Sequence, residues 1–400
     1  MNIAFVFDNF LYGGIERVGI SYINLLLKAG HTVDAYILLG KKEDFINEIP
    51  EGCGVYVQPF PFTQCPEHSW YRVKNDDSPV QIPLFAASYT SRFLRGKLFH
   101  RRFEVRNRHY DIAIAFSGHI RDLTFVADGY IKADATLGWM HGAQFQYALT
   151  SPGFFRLYKK IHNFVCLSEQ ADAECFKFNR RYGIKKEKIY NPCHLTVIRP
   201  GDALPPTADA EKIRSLREQY GDFCVMVARL AQDKDQETVL QAMRILRDRY
   251  GLRKKLLLVG DGPKRAALEQ LAAQLDLAEE VVFTGSRLDV QNYYLAAHIC
   301  VHAADLEGLP TVFLEAMACG LPIASDDAFP GAGEITNNGD AGLISPVRDA
   351  AQLAESLYRL YTDEPLRQSL IEKGYRRIEA FNPEVISSRL QAYLQEITRN

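Results

Sequence analysis

The sequence lacks the features that mark nucleic-acid-binding and membrane-spanning proteins. Its 400 residues carry a formal net charge of −2, which excludes a dominant nucleic-acid-binding surface. No apolar run reaches the roughly 20 residues of a membrane span. The opening stretch MNIAFVFDNF has no basic segment, and Asp8 interrupts its apolar run. We therefore expect this stretch to be a first strand rather than a signal peptide.

Cysteine pairs and metal-ligand clusters are also missing. The eight cysteines form no C-x-x-C pair and no Cys/His cluster at zinc spacing. We expect reduced, mostly buried thiols, as in a cytoplasmic protein. The pairs Asp76-Asp77 and Asp326-Asp327 have no further ligands at a recognisable spacing. The sequence thus predicts no metal and no cofactor.

What is present is a regular alternation of apolar strand-like runs and amphipathic helical runs. The first half contains NIAFVF, TVDAYIL and DIAIAF, and the second contains CVMVAR, KLLLVG, VVFTG, HICVHA and LPIASD. Such alternation predicts parallel sheets covered by helices on both faces. We predict an α/β protein with two Rossmann-like, doubly wound domains, 1–196 and 197–381, that face a central cleft. The linker lies within 191–210, which is rich in Pro, Gly and Ala.

Two carboxylates stand out in the stretch HAADLEGLPTVFLEAMACG, residues 302–320. Glu307 lies in a Gly/Pro loop just before a predicted helix, where the helix dipole favours a negative charge. This does not explain Glu315, which lies in the second turn of an otherwise apolar helix. Gly308 permits close approach of a ligand, and Thr311 offers a hydroxyl and an N–H at the helix start. Carboxylates accept strongly from diol hydroxyls, so the pair fits a ligand with hydroxyls at both ends.

Positive and glycine-rich positions follow other strands. Arg229 and Lys234 after CVMVA suit a diphosphate, although a solvated loop with surface charges is the alternative. Gly13-Gly14 opens a helix after the first strand and forms either an anion site or a plain tight turn. The turns VGDGP and FTGS contain Gly260 and Gly285. Because ligands of doubly wound sheets bind at strand carboxyl ends, these positions together predict a nucleotide-sugar site.

Histidines give weaker signals. His141, after the strand ATLGWM and before a glycine, is either a cleft residue or a structural one. His298 and His302 flank a buried-looking strand, and we interpret both as structural. His119 and Arg121, which follow AIAFSG, are candidates for the acceptor side, where the sequence shows no readable pattern.

Taken together, these residues make the chain resemble the retaining glycosyltransferases of family 4, which have the GT-B fold. The resemblance covers most of the chain and is densest over 223–342. It rests on GGIERV, VARLAQDKD, LLLVGDGPKRAALE, the stretch 281–327 and NGDAGLISP. The E-x7-E spacing of Glu307 and Glu315 is the family signature. The fold implies a C-terminal helix, 382–400, that crosses back to the N-terminal domain.

The resemblance implies a role for each position. Catalytic roles fall on His141, which would touch the donor sugar, on Arg229 and Lys234, which would neutralise the leaving diphosphate, and on Glu307, which would hold the sugar hydroxyls. Glu315 would bind the ribose, and Arg287 or Leu288 would lie against the base. The other implied donor-binding positions are Gly13, Gly14, Gly260, Gly285, Gly308, Leu309 and Thr311. No metal is implied.

The predicted function is a retaining, metal-independent transfer of a hexose or N-acetylhexosamine from a nucleoside-diphosphate sugar. UDP-sugars are favoured, and the acceptor would be a hydroxyl of a glycan or a lipid-linked molecule in surface polysaccharide or glycan assembly. The loop reads EGLP where many relatives have EGFGLP, and this leaves the donor sugar open. The alternatives are a non-catalytic nucleotide-sugar-binding subunit and a sugar-nucleotide epimerase of related fold. A glycoside hydrolase is disfavoured, because it would not need cations for a diphosphate.

Residues 84–111 interleave seven basic side chains with Leu and Phe. Such a segment can lie on an anionic membrane surface, or it can be a solvated helix whose apolar stripe is core. The sequence therefore predicts a cytoplasmic protein, with the inner face of the cell membrane as a candidate peripheral partner.

Overall fold

The computed structural model describes residues 1–10, 13–39, 46–61, 64–65, 82–83, 85–87, 90, 108–141, 152–168, 183–305, 307–327 and 331–399. The chain divides into two compact units. Unit 1 comprises Met1–Pro192 and Pro383–Asn400, and unit 2 comprises Cys193–Asn382. Most of the basic segment 84–111, together with Asp76 and Asp77, lies outside the described residues.

Unit 1 is built on a seven-stranded parallel sheet with strand order β3-β2-β1-β4-β5-β6-β7. Its described elements up to the end of the sheet are β1 (Asn2–Phe7), α1 (Gly14–Lys28), β2 (Thr32–Ile37), β3 (Gly54–Val57), β4 (His109–Ala115), α2 (Ile120–Ala127), β5 (Lys132–Met140), α3 (Pro152–Ile161), β6 (Asn163–Cys166) and β7 (Lys185–Lys188).

The central strands of this sheet are apolar on both faces because helices cover both. In β1 every residue from Ile3 to Phe7 is fully buried, as expected for an internal parallel strand. Helix α1 packs closely on this strand at Gly19, where a Cβ atom would lie 2.5 Å from the Phe7 ring. Only a glycine permits that approach.

Unit 2 contains a six-stranded parallel sheet with strand order β10-β9-β8-β11-β12-β13. Its elements are α4 (Ala210–Tyr220), β8 (Cys224–Val227), α5 (Gln236–Tyr250), β9 (Leu256–Val259), α6 (Arg265–Gln274), β10 (Val281–Gly285), α7 (Val290–Ala296), β11 (Ile299–His302), α8 (Thr311–Ala318), β12 (Ile323–Asp326), α9 (Gly331–Thr336), β13 (Leu343–Ser345), α10 (Ala350–Thr362) and α11 (Glu364–Arg377).

The helices of unit 2 begin where the sequence supplies caps. The Asp209 carboxylate accepts from the N–H groups of Glu211 and Lys212 at the start of α4. Asp349 does the same for the first turn of α10. Helices α5 and α10 pack against each other, and their apolar faces join one core with strands β8, β9 and β11.

The last helix, α12 (Pro383–Arg399), follows unit 2 in sequence but belongs to unit 1. It packs against α1, β4 and β5. The Tyr393 hydroxyl donates to the Phe164 carbonyl at 3.4 Å, and the Arg389 guanidinium bonds Glu187 at 2.8 Å. Among the described residues, no helix combines the length and the apolar character that crossing a bilayer requires.

Candidate functional site

Two side chains of unit 2 converge on one carboxylate oxygen of a third residue, Glu307. Glu307 lies in the loop between β11 and α8. Its Oε1 accepts a hydrogen bond from Lys234 Nζ and another, at 3.2 Å, from His302 Nε2. The side chains of Lys234 and Glu307 are 19% and 15% exposed. The structure therefore brings together two residues predicted for the site, Lys234 and Glu307, at the carboxyl ends of β8 and β11.

These contacts fix the charge of Glu307. Burial alone would raise its pKa, but the hydrogen bond from His302 and the charge of Lys234 outweigh burial and lower the pKa to about 2. Glu307 is therefore a carboxylate throughout the neutral range. In that form it accepts hydrogen bonds and cannot act as a proton donor.

His302, interpreted from the sequence as structural, bonds the predicted site carboxylate. It is the last residue of β11, its side chain is 2% exposed, and its Nε2 holds the Glu307 carboxylate. Its ring also meets the Phe313 ring edge to face, with centroids 5.5 Å apart. The signal in the sequence was its place at a strand carboxyl end, five residues before Glu307.

A tight turn places Lys234. The 3₁₀ turn Gln232–Lys234 is followed by Asp235, whose backbone adopts φ +30° in the left-handed region. Asp235 accepts a hydrogen bond of 2.6 Å from the Thr238 hydroxyl in the first turn of α5. Asp and Asn tolerate this backbone region better than most residues do, so the turn and the helix start are compatible at Asp235.

Arg229, the second predicted cation, differs from Lys234. Its side chain is 68% exposed and lies 3.4 Å from Asp233. An exposed guanidinium with one surface partner can rearrange at little cost. The two cations thus offer one positioned charge and one adaptable charge.

The predicted glycine loops have a packing role of their own. A Cβ atom at Gly260 would lie 2.0 Å from the Ala228 carbonyl oxygen, and one at Gly262 would lie 2.4 Å from that of Leu230. The Gly260 N–H donates to the Gly285 carbonyl at 3.0 Å. These glycines let the loops after β8, β9 and β10 pack backbone against backbone.

The start of α8 is shaped by a similar contact. Pro310 is the N-cap residue and Thr311 the first helical residue. The Glu307 carbonyl accepts from the Gly331 N–H at 3.1 Å. A Cβ atom at Gly331 would lie 2.7 Å from the Gly308 oxygen. Leu309 is buried beside this turn.

Glu315 has different partners from Glu307. It is buried in α8, and His194 Nε2 lies 3.6 Å from its Oε1. The thiols of Cys193, Cys300 and Cys319 are near enough for its charge to act on them. Burial first, and the Glu315 charge second, raise the pKa of Cys193 to about 12 and raise those of the other two further. The predicted ribose-binding carboxylate therefore lies in a largely enclosed environment.

The predicted base-contacting pair follows β10 and faces solvent. Arg287 is exposed, and Leu288 is 79% exposed. Leu288 is more exposed than the other exposed large apolar side chains of the described residues, such as Ile82 at 63% and Val385 at 54%. It offers a flat ligand an apolar surface next to the Gly285 turn.

The predicted residues of unit 1 lie at the carboxyl ends of its strands. Gly13 is the N-cap residue and Gly14 the first residue of α1, and a Cβ atom at Gly14 would meet nothing within 4 Å. His141 follows β5, and its Nε2 donates to the Phe116 carbonyl at 2.7 Å. Burial lowers the pKa of His141 to about 3 despite this bond. The ring is therefore neutral, with Nδ1 as its hydrogen-bond acceptor.

One cavity lies apart from the residues predicted for the site. It has a volume of about 460 Å³ and lies at the amino ends of β8, β11 and β12. Its two arginines are already engaged, because Arg217 donates to the Leu295 carbonyl at 2.6 Å and Arg367 pairs with Glu364. Its lining includes His298, interpreted from the sequence as structural, and no residue predicted for the donor site.

Comparison with solved structures identifies the fold. Both units are parallel Rossmann-like sheets, and the fold matches that of a crystal structure from Anabaena, Alr3699/HepE in complex with UDP and glucose. The TM-score is 0.71 at 19% identity, covering 99% of this chain and 100% of that one. The predicted fold class, α/β with two Rossmann-like domains of the GT-B type, is confirmed.

Residues 209–377 match the family model described as "Glycosyl transferases group 1". The chain is 32% identical, over 200 residues, to an exopolysaccharide phosphotransferase of Streptomyces coelicolor; this covers 50% of the chain but only 21% of that longer protein. It is 24% identical over 374 residues to an uncharacterized glycosyltransferase of Haemophilus influenzae, covering 94% of both. The predicted glycosyltransferase class agrees with this family model and with the name of the Haemophilus influenzae relative.

Proposed function

We propose that this protein is a retaining, metal-independent glycosyltransferase of family 4. It transfers a hexose or N-acetylhexosamine from a nucleoside-diphosphate sugar, preferably a UDP-sugar, to a hydroxyl of a glycan or lipid-linked acceptor. The proposed setting is the assembly of surface polysaccharides or glycans.

The observation that carries this proposal is the Lys234–Glu307–His302 arrangement. A carboxylate held ionised by two donors is a strong acceptor for sugar hydroxyls. The N-terminus of α8 begins four residues after Glu307 and offers partial positive charge. A negative group that binds hydroxyls beside a positive helix end matches a sugar joined to a diphosphate.

The departing diphosphate would be stabilised electrostatically. Lys234 would keep its bond to Glu307 and donate another N–H to a phosphate oxygen, while Arg229 would exchange Asp233 for phosphate oxygens. Positioned cations and helix N–H groups of this kind commonly contribute roughly 3–4 kcal/mol each to the transition state. Gly14 would bring a backbone N–H to the same diphosphate, Glu315 would hold the ribose, and Leu288 would contact the base.

Retention follows from a front-face reaction. The bond between the anomeric carbon and the phosphate oxygen breaks, and the bond to the acceptor oxygen forms on the same face. The acceptor proton goes to the departing phosphate oxygen. Neutral His141 would accept a hydroxyl hydrogen of the donor sugar at Nδ1, and ionised Glu307 would hold other ring hydroxyls.

The two alternative functions predict different results in an assay with nucleotide sugar. A binding-only subunit would hold nucleotide sugar but never release nucleotide. An epimerase would convert free sugar nucleotide with no acceptor present. The Haemophilus influenzae relative, which is named a glycosyltransferase and is matched over 94% of both chains, favours the transferase.

The membrane proposal concerns residues 84–111, which mostly lie outside the described part of the chain. Their basic and apolar side chains would hold a cytoplasmic enzyme on the inner face of the cell membrane. Flotation with anionic vesicles at low salt tests this, and absence of binding there would remove the proposal.

The experiment for the function measures nucleotide release from a panel of UDP-, GDP- and ADP-sugars in EDTA without acceptor. Slow release of UDP from one sugar identifies the donor through hydrolysis. Adding Mg²⁺ is expected to leave that rate unchanged. If no sugar releases nucleotide but one binds in a titration, the binding-only subunit becomes the better account.

A further inference from the structure

A cluster of charged side chains lies at the carboxyl edge of the unit 1 sheet, apart from the residues predicted for the donor. We name it the Asp8 cluster and define it as Asp8, Glu16, His119, Arg121 and Asp122. Asp8 follows β1, Glu16 lies in the first turn of α1, and the other three lie at the start of α2. Three carboxyl groups and two cations therefore meet where two strands end.

Asp8 is the centre of this cluster. Its Oδ2 lies 3.3 Å from His119 Nδ1, and its Oδ1 lies 3.2 Å from Arg121 Nη1. Its backbone N–H donates to the Ser117 hydroxyl at 3.0 Å. All three partners lie within residues 117–121, and two of them hold the Asp8 carboxylate, which in turn orients the imidazole of His119.

Only one member of the Asp8 cluster is open to a ligand. Asp8, Glu16, Arg121 and Asp122 are buried or nearly so, whereas the His119 side chain is 40% exposed. The structure records no hydrogen bond from Nε2 of His119 to any described residue. The Asp122 Oδ2 accepts a hydrogen bond from the Gly118 N–H at 2.7 Å. Its buried Oδ1 has no hydrogen-bond partner among the described residues.

Burial of this many charged groups costs free energy unless they pair with one another or with a ligand. In the Asp8 cluster the carboxyl groups change the pKa of His119. Burial alone would lower its pKa, but the hydrogen bond to Asp8 and the charges of Asp122, Asp8 and Glu16 outweigh burial and raise it. A protonated His119 presents Nε2–H as a charge-assisted donor.

The charge balance restricts the ligand. Arg121 is enclosed, so His119 is the only cation of the cluster within reach. Burial raises the pKa of Glu16 and of Asp122 to about 7, and above that pH both add negative charge beside the imidazole. The edge therefore has no excess positive charge with which to hold a phosphate or a carboxylate.

We infer that His119 is the acceptor-contacting residue of unit 1, that Asp8 is its positioning residue, and that the acceptor group they hold is a neutral sugar hydroxyl. The inference rests on the proposed glycosyl transfer and adds the acceptor's chemical class. His119 donates Nε2–H to one hydroxyl oxygen, while a neighbouring hydroxyl of the same sugar takes part in transfer.

A direct test follows the His119 imidazole by NMR in protein labelled at histidine. The His119→Gln spectrum assigns the signal. Methyl β-D-glucoside, β-D-galactoside and N-acetyl-β-D-glucosaminide serve as neutral probes, and methyl β-D-glucuronide as the anionic one, all with saturating UDP. We expect neutral probes to shift the His119 signal and the glucuronide not to. A shift with the glucuronide alone, or with no probe, would overturn the inference.

A kinetic test uses the same probes as acceptors in the nucleotide-release assay. A neutral glycoside that accelerates release in the native protein is expected to lose at least tenfold of that acceleration in His119→Gln, the usual scale for a charge-assisted hydrogen bond. His109→Gln is the matched control: His109 pairs with Asp134 at 3.2 Å on the same sheet, at the amino end of β4. Equal acceleration in the His119 variant and the control would contradict the role.

The role of Asp8 has its own readout. Asp8→Asn removes a charge that raises the His119 pKa, so that pKa, measured by NMR, should fall. The groups facing His119 from the surrounding elements are Asp8, Glu16, Arg121, Asp122 and, beyond β5, His141. An unchanged His119 pKa would mean that Asp8 is merely structural.

Failure of this inference and failure of the proposed function look different. UDP binding measured by calorimetry reports the donor proposal alone. If UDP binds and no glycoside moves the His119 signal, only the acceptor inference falls. If glycosides move the signal and no nucleotide binds, the donor proposal falls instead.

Discussion

His302 and Glu307 are five residues apart and share a hydrogen bond of 3.2 Å, from the imidazole Nε2 to the carboxylate Oε1. A buried strand-end histidine thereby holds the carboxylate of the next loop. The same oxygen also accepts from Lys234. One acceptor atom therefore links β11, the loop that follows it and the turn after β8.

The first prediction concerns acid stability. The Glu307 pKa is lowered from 4.5 to about 2, so between those values the unfolded chain binds a proton that the folded chain does not. The resulting stabilisation, roughly 3 kcal/mol at most, is present above pH about 4.5 and is lost as the pH falls toward 2. Glu307→Gln should flatten the free energy of unfolding in this window. A native-like slope in denaturant titrations of the variant would refute the assignment.

The second prediction concerns the positioned cation. Lys234→Ala should lower turnover at saturating donor at least tenfold, because the positive charge near the leaving diphosphate is lost. Lys373→Ala is the control, since it removes another lysine of unit 2 that is paired with a carboxylate, Asp340, at 2.8 Å. Steady-state release of nucleotide measures both. Equal turnover in the two variants would rule out the role of Lys234.

The third prediction separates a packing glycine from a ligand glycine. Gly260→Ala places a Cβ atom 2.0 Å from the Ala228 carbonyl at φ +148°, and we expect unit 2 to lose about 2–4 kcal/mol of stability. Gly14→Ala meets nothing within 4 Å, so the thermal midpoint should hardly change while donor turnover falls. Thermal unfolding and nucleotide release, measured on both variants, distinguish the two. A destabilised Gly14 variant with normal turnover would reverse the assignment.

The fourth prediction concerns His141. Its pKa is lowered from 6.5 to about 3, so the unfolded chain protonates first as the pH drops through 6.5. This contribution to stability is therefore full above pH about 6.5 and is lost progressively toward pH 3. His141→Gln should remove that part of the pH dependence. In the native enzyme no activity limb near pH 6.5 should belong to His141, which pH profiles of both proteins will check.

The sequence allowed the alternating fold and the E-x7-E carboxylates to be predicted, because apolar runs, glycine turns and carboxylate spacing are local. It did not reveal that His302 bonds Glu307, since a buried strand histidine has the same local pattern whether or not it has a functional partner. His119 and Arg121 were named as acceptor-side candidates, but their contact with Asp8 could not be predicted, for a different reason. Asp8 and His119 are 111 positions apart, and only the parallel pairing of β1 with β4 brings them together.

Helix α12 has a consequence for the order of synthesis. Unit 1 begins the chain, yet its last helix is made after the whole of unit 2. During translation unit 2 can complete its core first. The surface of unit 1 formed by α1, β4 and β5 remains uncovered until helix α12 has been synthesised. A chain that stalls or is cut before residue 383 would leave that surface uncovered. Unit 1 can therefore complete its packing only after unit 2 has been translated.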